Sequence, residues 1–139
     1  MDVYFSCSLT GGRHDQPVYA AMVNYLLAQG HRVLTAHLAR PEVMAEEQVV
    51  SPRAVYERDV QWIQEANALI AEVSTPSHGV GYEIALALIL GKPVLCVHRS
   101  DARVSKMITG NTEPTLTVAS YPDQNGALII IQNFLETLS

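Results

Sequence analysis

The sequence lacks a run of apolar residues long enough to cross a membrane. Its longest such run, residues 84–90, is far shorter than the ~18–20 residues that a membrane-spanning helix needs. Cysteine is also scarce, because only Cys7 and Cys96 are present and they lack CxxC spacing. Neither a zinc site nor a disulfide framework is therefore expected. The opening MDVYFSCSLT has no basic segment and is read as a strand, not a signal peptide, so we expect a cytoplasmic protein, or a nuclear one in a eukaryote.

Positive charge is in short supply as well. Nine Lys and Arg residues face 14 Asp and Glu, which gives a net charge of −5. This field repels duplex nucleic acid, although a local cluster of donors can still bind a small anion. The 139 residues, 48% of them hydrophobic, predict one domain, residues 1–139, with a packed core.

Several familiar site motifs are missing. There is no GxGxxG, no Walker loop ending in GK[ST] and no GxSxG nucleophile elbow. The histidines His14, His31, His78 and His98 show no metal-ligand spacing, so no metal site is predicted.

Strand-like and helix-like segments alternate along the chain. The predicted strands cover residues 3–7, 33–36, 69–73, 93–98 and 115–119, and the predicted helices cover residues 17–29, 52–67, 80–90 and 123–138. Residues 40–50 show no clear period and are expected to be a flexible excursion, and residues 99–111 a loop with a helical turn near Ser105. This alternation predicts an α/β, three-layer flavodoxin/Rossmann-like fold. Its five-stranded, mostly parallel sheet is expected in the order 2-1-3-4-5, with a ligand beyond the carboxyl ends of strands 1, 3 and 4.

Glu83 stands out in the predicted helix 80–90. It is the only formally charged residue between Val73 and Gly91. Burying a carboxylate among apolar residues costs several kcal/mol unless it is hydrogen-bonded or paired. The sequence places Glu83 in the first helical turn, where the helix dipole favours negative charge. It is therefore either a functional carboxylate or a capping glutamate.

Asp59 is a second carboxylate in an unusual place. It lies four residues after Val55 and three before Trp62, on the apolar stripe of the helix 52–67. Such an acid is either paired structurally or directed into a site. Two misplaced carboxylates at one end of a sheet favour glycosyl-bond chemistry, which often uses a carboxylate pair.

The loop SCSLTGGRHD after the first strand has groups that suit an anion. Gly11 and Gly12 allow close backbone approach, and Ser8 and Arg13 offer donors to a phosphate. An ordinary strand-to-helix turn explains the same residues equally well.

Weaker candidates lie near these segments. In the loop TPSHG, Ser77 and the N–H groups near Gly79 open a helix, where an anion can bind. Tyr4 is a core or site residue of the first strand, and His37 is a ligand contact or an exposed loop residue. Cys7 lies near the first loop but has no evident base, so a nucleophilic cysteine is not expected.

Four segments, VYFSCSLTGGRHD, LTAHLA, YERDVQWIQEANALIAEVSTPSHGVGYEIALAL and SKMITG, resemble the 2′-deoxynucleoside 5′-monophosphate N-glycosidases. These enzymes belong to the wider nucleoside 2-deoxyribosyltransferase family. The resemblance implies hydrolysis of a deoxynucleotide to free base and 2-deoxyribose 5-phosphate. It implies Glu83 as the nucleophile on C1′ of the sugar, Asp59 as the acid toward the base and Tyr4 as the residue that orients the nucleophile.

The resemblance also implies the binding residues. The phosphate would be held by Ser8, Gly11, Gly12, Arg13, Ser77 and Gly79, with His37 and Cys7 near the base. A homodimer is implied, in which Ser105 and Met107 complete the partner's phosphate site. No metal or organic cofactor is implied.

The chain departs from the family at Cys7, where Gly is usual, and at Thr10, where Arg is frequent. Two related activities therefore remain open, a nucleoside 2-deoxyribosyltransferase and a ribonucleoside monophosphate N-glycosidase acting on a substrate such as CMP. A non-catalytic nucleotide sensor on the same fold is a further alternative.

Overall fold

The computed structural model describes residues 1–9 and 14–139. Five strands alternate with helices along the chain. In chain order the elements are β1 (Asp2–Ser6), α1 (Gln16–Ala28), β2 (Arg32–Val33), a 3-10 helix (Ala36–Ala39), α2 (Val43–Gln48), α3 (Pro52–Glu65), β3 (Ala68–Glu72), α4 (His78–Ile89), β4 (Val94–Arg99), α5 (Lys106–Thr109), β5 (Leu116–Tyr121) and α6 (Gln124–Leu138).

The strands form one sheet in the order β2-β1-β3-β4-β5, and every paired strand is parallel to its neighbour. This confirms the predicted α/β fold and strand order. The order reverses between β1 and β3, where Tyr4 lies opposite Leu69 in the register. The carboxyl ends of β1, β3 and β4 therefore meet at one edge, where open parallel sheets bind their ligands.

Alternation along β1 divides its side chains between two cores. Val3 and Phe5 pack with α1 and α6 on one face of the sheet. Tyr4 packs with α3 and α4 on the other face, and Ser6 shares the side of Tyr4 because successive strand residues point to opposite faces. The chain therefore directs Tyr4 and Ser6 together toward α4.

Two expectations on the amino-terminal half were wrong. Residues 40–50 contain the helix α2, which is anchored by the fully buried Val43. A helix this short has too few turns to show a period in the sequence. The second strand ends at Val33 instead of residue 36, because the Thr35 hydroxyl bonds both the backbone N–H and the carbonyl of Phe5, at 2.9 and 2.6 Å. This side chain replaces the backbone ladder at the edge of the sheet.

Helices α3 and α4 begin with serine caps. Ser51 accepts a hydrogen bond from the N–H of Ala54, and Ser77 accepts one from Val80 at 3.3 Å. The second cap starts α4 at His78, two residues before the predicted position. The other predicted elements are found with ends displaced by one or two residues, and the 3-10 helix Ala36–Ala39 was not predicted. Within residues 1–9 and 14–139, no helix combines the length and the apolar character needed to span a membrane.

Candidate active site

Glu83 is held by two hydroxyl groups from β1. Tyr4 Oη donates a hydrogen bond to Glu83 Oε2, and Ser6 Oγ donates to Glu83 Oε1 at 2.9 Å. Because α4 begins at His78, Glu83 lies in its second turn, and the expectation of a first-turn carboxylate was wrong. The side chain therefore does not cap the helix. Its negative charge is stabilised by these two donors and not by free N–H groups of the helix.

The environment raises the pKa of Glu83 to about 7. Loss of water on burial is the main cause, and the charge of Asp59 adds to it, whereas the hydrogen bonds from Tyr4 and Ser6 lower the pKa. Burial and the Glu83 carboxylate raise the pKa of the Tyr4 phenol, which therefore remains a hydrogen-bond donor. With a pKa near 7, a substantial fraction of Glu83 is ionised at neutral pH, as attack by a carboxylate requires.

Asp59 is half-buried on α3 and pairs with its sequence neighbour. Arg58 Nε donates to Asp59 Oδ1 at 2.9 Å, and the same guanidinium donates to Glu47 Oε1 at 2.8 Å. Burial raises the pKa of Asp59, and Arg58 opposes that rise. Asp59 therefore combines both readings of its sequence position, because it has an ion-pair partner and also faces a cleft.

One cleft of about 360 Å³ brings the two carboxylates together. It lies between the carboxyl end of β1, α3 and the first turns of α4. Its lining consists of Cys7, Leu9, Leu38, Val55, Tyr56, Asp59, Val60, Ile63, Ser77, Gly79, Val80, Tyr82 and Glu83. The walls are mostly apolar, and the acids are the charged groups among them. This composition suits a ligand with a flat apolar part and a reacting centre between two carboxylates.

The structure describes some of the predicted phosphate-binding residues. Ser77 and Gly79 line the cleft, and Ser8 is buried at the end of β1. Gly11, Gly12 and Arg13 lie outside the described residues. The structure thus places the loop before α4 at the cleft.

His37 lies beside the cleft and not among its described lining residues. Its Nε2 is 3.1 Å from Glu47 Oε1, and its ring packs edge-on to Trp62 with centroids 5.8 Å apart. Its neighbour Leu38 lines the cleft. Glu47 therefore links His37 to Arg58, and through Arg58 to Asp59.

Ser105 and Met107 lie elsewhere. They line a groove of about 730 Å³ on the other side of the α4 amino terminus, together with Ser77. The Met107 side chain is 83% exposed. Within this chain the two residues are therefore separated from the cleft that holds Glu83, and Ser77 is common to both spaces.

Five residues of this region were not predicted from the sequence as site residues. Ser6 follows Tyr4 by two positions, so strand alternation alone places both hydroxyls on one face. Arg58 and Glu47 gave no signal, since charged residues in polar segments are common. Tyr56 and Tyr82 stand at the mouth of the cleft with ring centroids 6.4 Å apart, and they are 55% and 54% exposed.

These groups define the class of site. A parallel α/β sheet presents a buried glutamate with a raised pKa, hydroxyl donors to it and an aspartate across an apolar cleft. Among the residues that the structure describes, no three His, Cys, Asp or Glu side chains are grouped so that they could hold a metal ion. The arrangement suits nucleophilic carboxylate chemistry at a sugar carbon.

The comparisons with known proteins agree with this class. Residues 3–122 match the family described as Nucleoside 2-deoxyribosyltransferase, and the chain belongs to that family. The Rattus norvegicus 5-hydroxymethyl-dUMP N-hydrolase is 45% identical over 112 residues, which cover 78% of this chain and 68% of the relative. A Methanococcoides burtonii protein, provisionally named 2′-deoxynucleoside 5′-phosphate N-hydrolase 1, is 43% identical over 118 residues, or 85% of this chain and 97% of the relative.

The fold is shared with a solved structure of more distant sequence. The structure of the Clostridium botulinum CMP N-glycosidase superposes with a TM-score of 0.73 at 18% identity, covering 96% of this chain and 99% of the other. This likeness concerns the fold alone.

Proposed function

We propose that the protein hydrolyses the N-glycosidic bond of 2′-deoxynucleoside 5′-monophosphates, giving free base and 2-deoxyribose 5-phosphate. The observation that carries this proposal is the position of Glu83, which is held by Tyr4 and Ser6 and lines one cleft with Asp59. The names of the relatives from Rattus norvegicus and Methanococcoides burtonii support the substrate class.

In the first step, Glu83 attacks C1′ of the deoxyribose. A bond forms from a Glu83 carboxylate oxygen to C1′ while the bond from C1′ to the base nitrogen breaks. The electron pair of that bond goes to the base, which takes a proton from Asp59. Tyr4 and Ser6 orient the nucleophile, and the oxocarbenium character at C1′ is stabilised by the adjacent carboxylate.

In the second step, water releases the sugar. Asp59, now ionised, takes a proton from a water molecule whose oxygen bonds to C1′. The ester bond to Glu83 breaks and its electron pair returns to the carboxylate. The sequence of steps restores both acids and needs no metal or organic cofactor.

The two carboxylates must hold one proton in the right place. The productive form has Glu83 ionised and Asp59 protonated, and such neighbouring acids titrate as a pair. The hydrogen bonds from Tyr4 and Ser6 favour ionised Glu83. Arg58 favours ionised Asp59. Displacement of water by a substrate raises the pKa of Asp59 further, and the proposed reaction requires that the proton rest on Asp59 while the hydrogen bonds from Tyr4 and Ser6 keep Glu83 ionised.

The 5′-phosphate is assigned to the loop after β1 and the loop before α4. Ser8, Gly11, Gly12 and Arg13 supply one side, and Ser77 and Gly79 supply the other. Ser77 and Gly79 line the cleft, and a helix amino terminus attracts a phosphate through its free N–H groups. Thr10 stands where the family frequently has an arginine, so binding of the phosphate depends more strongly on Arg13.

The base is assigned to the apolar end of the cleft. Leu38, Val55 and Ile63 belong to the apolar lining of the cleft, and His37 immediately precedes Leu38 in the chain. Cys7 also lines the cleft, and its side chain fills space that a glycine would leave open beside the sugar or base. This difference is expected to restrict the size of the groups that are accepted there.

A homodimer is part of the proposal. Ser105 and Met107 line the groove that includes Ser77, so a second copy seated there would bring its own residues next to the loop before α4. The exposure of Met107 supports this role, because an apolar side chain so placed suits an interface. Light scattering at micromolar concentration is expected to give twice the chain mass, and a monomer would contradict the dimer.

A cytoplasmic location is also proposed. It rests on the low cysteine content and on the phosphorylated substrate, since nucleotides are formed and used inside cells. Fractionation of cells that express the tagged protein at its native level tests it, and recovery in a secreted fraction would contradict it.

A base-release assay tests the reaction. The protein is incubated with the common deoxynucleoside monophosphates, the matching ribonucleotides and the unphosphorylated deoxynucleosides, with and without an acceptor base, beside Glu83→Gln. The proposal predicts free base from deoxynucleoside monophosphates and none from the variant. New nucleoside only with acceptor base would make the protein a transferase, and release from ribonucleotides would make it a glycosidase of the CMP type. No reaction with any substrate would favour a nucleotide sensor.

A further inference from the structure

A second group of buried polar side chains lies on the opposite face of the sheet from Glu83. Glu72 ends β3 and is fully buried. Its carboxylate accepts hydrogen bonds from the Ser74 N–H at 2.5 Å, the Ser74 hydroxyl at 3.0 Å and the Tyr121 hydroxyl at 2.5 Å. The Ser74 hydroxyl also accepts from the backbone N–H of Arg99 at 2.8 Å. The start of the loop before α4 is therefore bonded to β3, β4 and β5.

An ion pair continues this group toward the first loop. Arg99 Nε donates to Asp15 Oδ1 at 2.9 Å, and the Asp15 side chain is only 3% exposed. Thr75 Oγ1 donates to Asp15 Oδ2 at 3.3 Å. Arg99 also donates to the exposed Asp101 at 2.7 Å. Asp15 thus joins the end of the loop after β1 to β4 and to the loop before α4.

The segments joined here are those to which the substrate phosphate is assigned. Asp15 lies two residues beyond Arg13, and Thr75 lies two residues before Ser77. Neither Asp15 nor Arg99 belongs to the lining of the cleft among the residues that the structure describes. An effect of the ion pair on a ligand in the cleft would therefore be exerted through the segments that it joins and not by contact.

We propose that Asp15, Thr75 and Arg99 are positioning residues that fix the spacing between the amino terminus of α1 and the loop before α4 for the 5′-phosphate of the substrate. This inference rests on the proposed function. A phosphate held from two sides is sensitive to their separation, because charge-assisted hydrogen bonds need donors at about 2.7–2.9 Å. An ion pair with a buried aspartate and defined geometry sets that separation before the ligand arrives.

The role predicts selectivity for the phosphate and not a general loss of binding. Without the ion pair, the amino terminus of α1 and the loop before α4 keep their own residues but lose their fixed separation. Binding of a phosphorylated ligand then weakens, whereas contacts of sugar and base with α3 and α4 are unchanged. If the ion pair only stabilised the fold, its loss would weaken the binding of both kinds of ligand, together with a fall in melting temperature.

The test measures ligand binding without turnover. In the Glu83→Gln background, calorimetry gives Kd for a deoxynucleoside monophosphate and for the same deoxynucleoside without phosphate. Arg99→Gln and Asp15→Asn are compared with the matched control Arg32→Gln, which removes the exposed ion pair between Arg32 and Asp2. The proposal predicts a nucleotide Kd raised about 10- to 100-fold by either change, an unchanged nucleoside Kd and no effect in the control.

Further variants keep the test independent of folding. Thr75→Val removes one hydroxyl and leaves the ion pair in place, and a smaller, phosphate-selective loss is expected from it. The double variant Asp15→Asn with Arg99→Gln is expected to lose no more than either single variant, since both remove one interaction. Equal loss of nucleotide and nucleoside, or an unchanged nucleotide Kd in stably folded variants, would overturn the positioning role. Base release by the otherwise unsubstituted protein separately decides the proposed reaction.

Discussion

The two faces of the sheet each hold a glutamate near the carboxyl ends of the strands, in opposite circumstances. Glu72, on the face of α1 and α6, is closed off from solvent and accepts three hydrogen bonds. Glu83, on the face of α3 and α4, accepts two and borders an open cleft. Burial raises the pKa of both carboxyls. Glu72 is fully buried with three protein donors, whereas Glu83 lines a cleft. This difference supports a structural role for Glu72 and the proposed catalytic role for Glu83.

The largest expected effect is on turnover. Glu83→Gln removes the proposed nucleophile, and kcat is expected to fall by about 10⁴-fold or more. Glu72→Gln makes the same chemical change on the other face and leaves Glu83 and Asp59 in place. Single-turnover base release from a deoxynucleoside monophosphate measures both variants. A comparable loss in the two variants would contradict the functional difference between the two acids.

The second effect concerns the free energy of unfolding, which Glu83→Gln and Glu72→Gln should change in opposite directions. The pKa of Glu83 rises from 4.5 to about 7 on folding, so its stabilising contribution is present below pH 4.5 and is lost as pH rises through 7. At pH 8, Glu83→Gln removes a cost of burying the charge of up to roughly 3 kcal/mol. It also loses one of the two acceptors that Tyr4 and Ser6 use, so the free energy of unfolding should increase by less than that amount. Urea denaturation at pH 4 and pH 8 tests this, with a gain expected only at pH 8.

Glu72→Gln should instead destabilise the protein. The amide offers one acceptor where the carboxylate has two, and its NH₂ group faces the Ser74 and Tyr121 donors. The free energy of unfolding is expected to fall by about 1–3 kcal/mol, measured by urea denaturation at pH 8. Tyr121→Phe, which removes one donor to the same carboxylate, should cost less, and stability unchanged in both variants would refute a structural role for Glu72.

A third effect is expected in the pH profile. The reaction needs Glu83 ionised and Asp59 protonated, so kcat/KM should rise with pH through a midpoint near pH 7 and fall again at higher pH, where Asp59 loses its proton. The Tyr4 hydrogen bond lowers the pKa of Glu83, and Tyr4→Phe should therefore move this midpoint to higher pH. Val3→Ile, a change on the other face of β1, is a suitable control. A midpoint that stayed in place in Tyr4→Phe would show that Tyr4 does not set the ionisation of Glu83.

The smallest effect is expected at the mouth of the cleft. Tyr56→Ala removes one ring of the exposed pair with Tyr82, and such aromatic contacts contribute about 0.5–1.5 kcal/mol. KM should rise severalfold while kcat stays near its original value. Tyr25→Ala alters a tyrosine on α1, on the opposite face of the sheet, and serves as the control. A fall in kcat without a change in KM would place Tyr56 in the chemical step.

The sequence could predict the parts that depend on local patterns. Alternating apolar segments with Gly and Pro boundaries gave the strand order, and the isolated charge of Glu83 and the position of Asp59 on an apolar stripe drew attention to the two acids. Ser6 could also have been predicted, because strand alternation places it on the same face of β1 as Tyr4.

The features that the sequence did not predict depend on contacts between segments that are distant in the chain. The helix α2 has one fully buried anchor, Val43, so its sequence carries no period. Glu72 ends an apolar strand, but its partner Tyr121 lies 49 residues away. The ion pair between Asp15 and Arg99 spans 84 residues. No spacing rule connects such residues before the sheet order brings their strands together.

The most direct test is a search for the sugar ester on Glu83. A deoxynucleoside monophosphate is mixed with the protein, the reaction is quenched with acid within the first turnover, and the digested peptides are analysed by mass spectrometry. We predict that the peptide containing Glu83 carries the mass of a 2-deoxyribose 5-phosphate group, attached with loss of the base. The same peptide from Glu83→Gln should carry none. Rapid base release by Glu83→Gln, or a sugar attached to another residue, would contradict Glu83 as the nucleophile.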